Sequence, residues 1–122
     1  MLLANVRRDN VSQEVLISGG GDGAIKIWSL NSLHRGTIDL VHKFKNPSTI
    51  VVSLANNDAL LYAGLGNGGV HVYNLDSAQL VQKVDIGKEC VSSIQVMGGI
   101  AFCGTYDGKL KVCLSLQDLD PC

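Results

Sequence analysis

The sequence has 122 residues, of which 46% are hydrophobic and 17% are charged, with 14 glycines and 2 prolines. This composition excludes a disordered tail or a low-complexity linker, and the length predicts a folded unit with a core of its own. Ten Lys and Arg residues against 11 Asp and Glu give a formal net charge of −1, and the cations are scattered. We therefore expect neither nucleic acid nor an anionic membrane among its partners.

The start of the chain and the cysteines bear on the cellular compartment. The apolar start reaches Arg7 and Arg8 after too few residues for a signal peptide, and no apolar run approaches the ~18 residues that span a bilayer. None of the 4 cysteines has the CxxC spacing of zinc or redox sites. We therefore expect reduced thiols in a cytoplasmic or nuclear protein that is not secreted.

Short alternating apolar segments predict strands along the whole chain, and no segment sustains a helical period. The first third contains a polar loop at 7–14 and predicted strands at 1–6, 15–18, 24–28 and 37–44. The middle third contains predicted strands at 50–54, 60–63, 69–73 and 80–84. The last third contains predicted strands at 91–96, 100–103 and 110–114. The predicted fold class is all-β, with no substantial helix.

The sequence also repeats. Set without gaps, residues 16–30, 61–75 and 101–115 share three columns, with spacings of 45 and 40 residues. About 40 to 45 residues is the period of a four-stranded propeller blade. Glycine adopts positive φ without steric cost, and an Asp or Asn side chain accepts hydrogen bonds from nearby backbone N–H groups. We therefore predict structural turn roles for the aligned residues, which are Gly19, Asp22 and Gly23, then Gly64, Asn67 and Gly68, then Gly104, Asp107 and Gly108.

The first of these segments contains Ser18, Gly19, Asp22, Gly23, Ile25, Ile27 and Trp28, and the other two segments follow in register. These residues match a pattern that is roughly Ser-Gly-x-x-Asp-Gly followed by apolar-x-apolar-Trp-Asp. In this pattern the chain resembles the WD-repeat (WD40) β-propeller family. The resemblance implies four-stranded antiparallel blades: blade 1 over residues 1–46, blade 2 over 47–86 and a partial blade 3 over 87–116. Residues 117–122 are expected to form a tail or linker.

The number of blades predicts an incomplete ring. Propellers close with about 4 to 8 blades, whereas this chain holds fewer than three complete repeats. Three blades alone would leave sheet faces and edges without partners. Two explanations remain open: the chain is a fragment of a longer polypeptide, or copies of it associate to close the ring.

No pattern of catalytic or ligand-binding residues is found. Gly64–Gly69 satisfies the GxGxxG spacing of dinucleotide sites, but an alternating strand follows where that motif needs a helix. Asp22 and Asp107 occupy the same turn of separate repeats, which indicates capping and not an acid/base pair. Trp28 and Tyr73 lie at strand positions that favour packing. We therefore predict no catalytic residue, no cofactor and no metal, and we do not expect an enzyme.

The resemblance implies a noncatalytic scaffold or adaptor that binds other proteins or the rest of its own chain. The candidate contact residues are those that the sequence places in loops, namely Arg7, Arg8, His34, Arg35, Lys88 and Tyr106. The alternative is the assembly region of a larger enzyme. Residues 51–81 are similar to the WD-repeat region that precedes the metallopeptidase domain in fungal glutathione-degrading peptidases. In that case the zinc and the catalytic residues would lie in a part of the protein outside this chain.

Overall fold

The computed structural model of this chain describes residues 2–8, 11–21, 23–30, 36, 38–45, 49–57, 60–97 and 100–113. Within these residues every regular element is a β-strand, and all strand pairs are antiparallel. The all-β prediction is confirmed. The predicted tail at 117–122 lies outside the described residues.

Eleven strands form three separate sheets in the described residues, which we call blades 1, 2 and 3. Blade 1 contains β1 (Leu2–Arg8), β2 (Val11–Gly19), β3 (Ala24–Ser29) and β4 (Asp39–Lys45). Blade 2 contains β5 (Val51–Asn57), β6 (Leu60–Leu65), β7 (Gly69–Asn74) and β8 (Gln79–Asp85). Blade 3 contains β9 (Val91–Met97), β10 (Ile100–Thr105) and β11 (Leu110–Cys113). Within each blade, strands that are consecutive in sequence pair with each other, so every blade is a meander.

The first hairpin differs most from the strands that were predicted from the sequence. A polar loop was predicted at 7–14, but β1 continues to Arg8 and β2 begins at Val11, and these two residues pair across the hairpin. That part of the prediction is wrong because a strand ladder is made by backbone N–H and C=O groups, so polar side chains do not prevent pairing. Blade 3 has three strands in the described residues, one fewer than a complete blade, and three is the number that the sequence predicted for this partial blade.

The blades pack face to face, and blade 2 is covered on both sides. One cluster of buried side chains joins blade 1 to blade 2, and a second joins blade 2 to blade 3. Alternate residues of a strand point to opposite faces of its sheet, so neighbouring residues of β6 belong to different clusters. Leu61 and Ala63 belong to the first cluster, whereas Tyr62 belongs to the second.

Each interface therefore joins one face of a blade to the opposite face of the next. We call the side of a blade that faces the following blade its forward face, and the other side its rear face. The forward face of blade 1 contains Val15, Ile17, Ile25 and Ile27. The forward face of blade 2 contains Leu60, Tyr62, Val70 and Val72. The rear face of blade 2 contains Leu61, Ala63, Leu65 and Tyr73.

Candidate protein-interaction face

The turns between the second and third strands of the blades lie on one side of the molecule, together with the segments that connect the blades. Backbone hydrogen bonds join them. Val51 N donates to Gly20 O at 3.3 Å, and Gly66 N donates to Ile50 O at 3.0 Å. Further along, Ile86 N donates to Gly68 O at 3.1 Å, and Tyr106 N donates to Cys90 O at 2.9 Å. We call this surface, formed by residues 19–21, 49–50, 65–69, 86–90 and 105–109, the turn face.

Three glycines of the turns have backbone angles that other residues rarely adopt. Gly23, Gly68 and Gly108 have φ values of 80°, 90° and 83°. These three are the last glycines of the three aligned turn sequences. A Cβ on Gly68 would also overlap the carbonyl oxygen of Gly87, whereas a Cβ on Gly108 would meet nothing within 4 Å. The turn of blade 2 is therefore pressed against the loop that leads to blade 3, and the turn of blade 3 is open on that side.

The carboxylate and amide side chains of the turns bond to their own backbone. Asn67 Oδ1 accepts a hydrogen bond from Gly69 N at 3.0 Å. Asp107 accepts hydrogen bonds from the Thr105 hydroxyl and from Lys109 N, and its Oδ2 lies 3.8 Å from Lys109 Nζ. The Thr105 hydrogen bond is the main reason that the pKa of Asp107 lies below its ordinary value. Asp22, the equivalent in blade 1, lies outside the described residues.

The first glycines of the aligned turns serve a different purpose. Gly19, Gly64 and Gly104 end or nearly end their strands, and none of them has positive φ. A Cβ on Gly19 would lie 2.6 Å from Val51 Cγ1, and one on Gly64 would lie 2.8 Å from Val91 Cγ1. These two glycines allow the first strand of the next blade to approach. A Cβ on Gly104 would meet Ser93 Oγ of its own blade at 2.6 Å, and one on Gly64 would likewise overlap Ser53 Oγ of its own blade.

Two of the six candidate contact residues lie exposed on the turn face. Lys88 is exposed in the loop between blades 2 and 3, and Tyr106 is 78% exposed in the turn of blade 3. The Tyr106 N hydrogen bond to Cys90 O brings that turn and that loop side by side. Arg7 and Arg8 lie on β1, but their side chains are outside what the structure describes. His34 and Arg35 are outside the described residues altogether.

The structure adds an exposed apolar residue to this surface. Ile50 is 47% exposed and precedes β5, although the sequence placed it in the strand. Its carbonyl accepts the hydrogen bond from Gly66 N, which holds the residue at the blade 1–blade 2 junction. The exposed residues of the turn face thus combine Ile50 and Tyr106 with the charges of Lys88, Glu89, Asp107 and Lys109. The sequence did not indicate this exposure, because Ile50 reads as the first apolar residue of the predicted strand at 50–54.

Aromatic side chains pack between the blades. Tyr73 is 4% exposed, and its ring centroid lies 4.3 Å from that of Phe44 in blade 1. His71 Nδ1 lies 3.4 Å from the Tyr73 hydroxyl oxygen. Burial, together with the Lys83 charge, lowers the pKa of His71, and burial raises the pKa of Tyr73. Trp28 is half-buried on the rear face of blade 1, where its Nε1 donates to Ser18 Oγ at 3.0 Å.

The described part of the chain places no group of three or more His, Cys, Asp or Glu side chains where it could hold a metal ion. The glycines of the GxGxxG segment lead into β7, and the amide of Asn67 bonds there to the backbone of its own turn. Within the same described residues, no helix has the length and apolar character needed to cross a membrane.

A family model described as the WD40 repeated domain matches residues 4–113, which is most of the chain. The chain belongs to the WD40 repeat family. The family resemblance in the sequence is thereby confirmed, and domains of this family generally act as scaffolds for protein interactions.

Solved structures agree with the WD40 fold. The crystal structure of the computationally designed Ika8 protein has a TM-score of 0.70 and 24% identity, over 91% of this chain and 32% of that one. The structure of U3-55K has a TM-score of 0.72 and 17% identity, over 93% of this chain and 34% of that one. The WD40 chain thus spans about a third of the length of each. A search of curated proteins finds no match.

Proposed function

We propose that this chain is a noncatalytic protein-interaction module and that partner proteins bind its turn face. The observation that carries the proposal is the arrangement of this surface. Backbone hydrogen bonds between turns and connecting segments fix its shape, so a partner would meet a rigid surface, and binding would cost little conformational entropy.

The side chains on the turn face support binding more than they support chemistry. The carboxylate of Asp107 and the amide of Asn67 are occupied by hydrogen bonds of their own turns. Tyr106 and Ile50 remain exposed, and aromatic residues are enriched in protein interfaces. Mixed charges around them would set the orientation of a partner and the rate of its association.

Affinity capture with matched variants tests the proposal. The wild-type chain is compared with Tyr106→Ala combined with Lys88→Ala, and with a control, Val81→Ala, which changes an exposed residue of β8 away from the turn face. We expect a set of proteins to be retained by the wild type and the control and lost from the double variant. Identical captured proteins for all three chains would contradict the proposal.

The assembly region of a larger metallopeptidase stays a hypothesis, because no contact, burial or charge in the described residues favours it. In that hypothesis the surfaces of the blades would position a catalytic domain of the same polypeptide. The open reading frame of the source gene would separate the two functions, since a metallopeptidase sequence would follow these repeats only in the second.

A further inference from the structure

The forward face of blade 3 carries apolar side chains that no other described sheet covers. The repeat identifies its positions, since they follow the forward-face positions of blade 2 by 40 residues. They are Ile100, Phe102, Leu110 and Val112. The strand register places Phe102 opposite Val112, so these side chains form one continuous surface across β10 and β11.

Exposure distinguishes this face from its equivalent in blade 2. Val70 and Val72 are 1% and 2% exposed because blade 3 covers them. Leu110 and Val112, which follow them by 40 residues, are 72% and 45% exposed. Met97, paired with Ile100 on the neighbouring strand, is 68% exposed. Blade 3 therefore presents the side chains of a blade–blade interface, and no blade formed by the described residues covers them.

The rear face of blade 1 is the matching half of such an interface. Leu16, Ser18 and Trp28 precede Leu61, Ala63 and Tyr73 by 45 residues. Leu61 and Ala63 are fully buried against blade 1, whereas Leu16, Ser18 and Trp28 are only half-buried.

The small side chain in the middle of the rear face allows close approach of the facing sheet. Ser18 occupies the position that Ala63 holds in blade 2 and Cys103 in blade 3, and both of those residues are 0% exposed. Ser18 is therefore small enough for a sheet to pack against this position of blade 1, as it does in blades 2 and 3.

We propose that the forward face of blade 3 docks on the rear face of blade 1 of a second copy of this chain. Each copy carries both halves of the contact, so the same interface, made twice, joins two copies head to tail. Two copies would contribute six blades, which falls within the 4 to 8 with which propellers typically close. A head-to-tail contact of this kind forms a closed ring when the rotation between copies allows it. The proposed contact between two copies lies outside the turn face, so it is independent of partner binding there.

The oligomeric state of the 122-residue chain tests the proposal. Light scattering and sedimentation over a wide concentration range are expected to show a dimer that dissociates on dilution. Val112→Lys should raise the dissociation constant of the dimer by about tenfold or more, since a charged side chain would replace an apolar one that the contact buries. The matched control is Val81→Lys, because Val81 is 43% exposed on β8, outside either face of the proposed contact, and it should leave the dimer intact.

A mixing experiment tests the head-to-tail geometry. Val112→Lys impairs only the forward face of blade 3, and Leu16→Lys impairs only the rear face of blade 1. Each variant alone should dimerise at least about tenfold more weakly than the wild type, but a mixture should form heterodimers more readily, because one intact contact can form between the two. Circular dichroism melts of both variants establish that they fold, and the Val112→Lys and Val81→Lys comparison stands without Leu16→Lys.

Three outcomes would overturn the proposal. The first is a wild-type chain that stays monomeric at every concentration. The second is a dimer that Val112→Lys leaves unchanged. The third is a dimer that Val112→Lys disrupts and Leu16→Lys does not, which would mean that two copies pair through blade 3 alone.

Discussion

Gly64 in blade 2 lies directly against Val91, the first residue of blade 3. A Cβ on Gly64 would overlap Ser53 Oγ of its own blade, and it would stand 2.8 Å from Val91 Cγ1 and 3.0 Å from the Val91 carbonyl oxygen. That carbonyl accepts a hydrogen bond from the Ser53 hydroxyl at 2.9 Å. Blades 2 and 3 thus meet at a point where neither has room for another side-chain atom, and a hydrogen bond joins them there.

Gly64→Ala should therefore destabilise the protein. The added methyl group would displace the Ser53 hydroxyl from its hydrogen bond and crowd Val91 on β9, and overpacking of this kind typically costs about 1–3 kcal/mol. Urea denaturation followed by circular dichroism measures the loss. The control is Gly21→Ala, since Gly21 has no atom within 4 Å of the position of a Cβ. Equal stabilities of the two variants would contradict the close-approach role of Gly64.

Gly68→Ala and Gly108→Ala separate backbone strain from crowding. Both glycines have positive φ, so alanine at either position should cost about 1–2 kcal/mol. Only at Gly68 would the new methyl group also overlap the Gly87 carbonyl oxygen. Thermal melts should show a larger loss for Gly68→Ala than for Gly108→Ala. If the order is reversed, the turn of blade 2 is not packed against the loop that follows it.

Tyr62→Phe should leave stability unchanged or raise it. Tyr62 is 2% exposed, and its hydroxyl has no hydrogen-bond partner among the described residues. A buried polar group without a partner costs about 1–3 kcal/mol, so its removal carries no penalty. Phe102 occupies the equivalent position in blade 3. Tyr62→Ala is the contrasting variant and should lose about 3–5 kcal/mol, because it removes the ring that packs between blades 2 and 3. A clear loss of stability in the Phe variant would show that the hydroxyl is bonded.

Stability should fall as the pH is lowered below about 6.5, the ordinary pKa of histidine. Burial and Lys83 lower the pKa of His71 in the folded protein, so the unfolded chain takes up the proton first. Between the two pKa values the unfolded state binds more protons, and acid therefore favours unfolding. Urea midpoints measured from pH 7.5 downwards should show this slope, and His71→Gln should reduce it. An undiminished slope in the variant would assign the effect to other groups.

The local parts of the fold could be predicted from the sequence. Alternating apolar residues located most strands, because a half-buried strand needs one apolar face, and that requirement is local. The turn role of Gly68 could be predicted from the sequence, because few residues other than glycine adopt positive φ. The polar strand segment around Ser12 could not be predicted from the sequence, since its pairing depends on backbone groups that nearly every residue possesses.

Repeated antiparallel sheets with Gly-rich turns could be predicted from the amino-acid order, because turn geometry and strand alternation depend on neighbouring residues alone. Which side of each sheet is covered and which is open is known only from the packing of the blades. Val70 and Leu110 occupy the same position of the repeat, yet one is 1% exposed and the other 72%. The difference arises because burial depends on what packs against a blade from outside it, and no pattern within the blade contains that information.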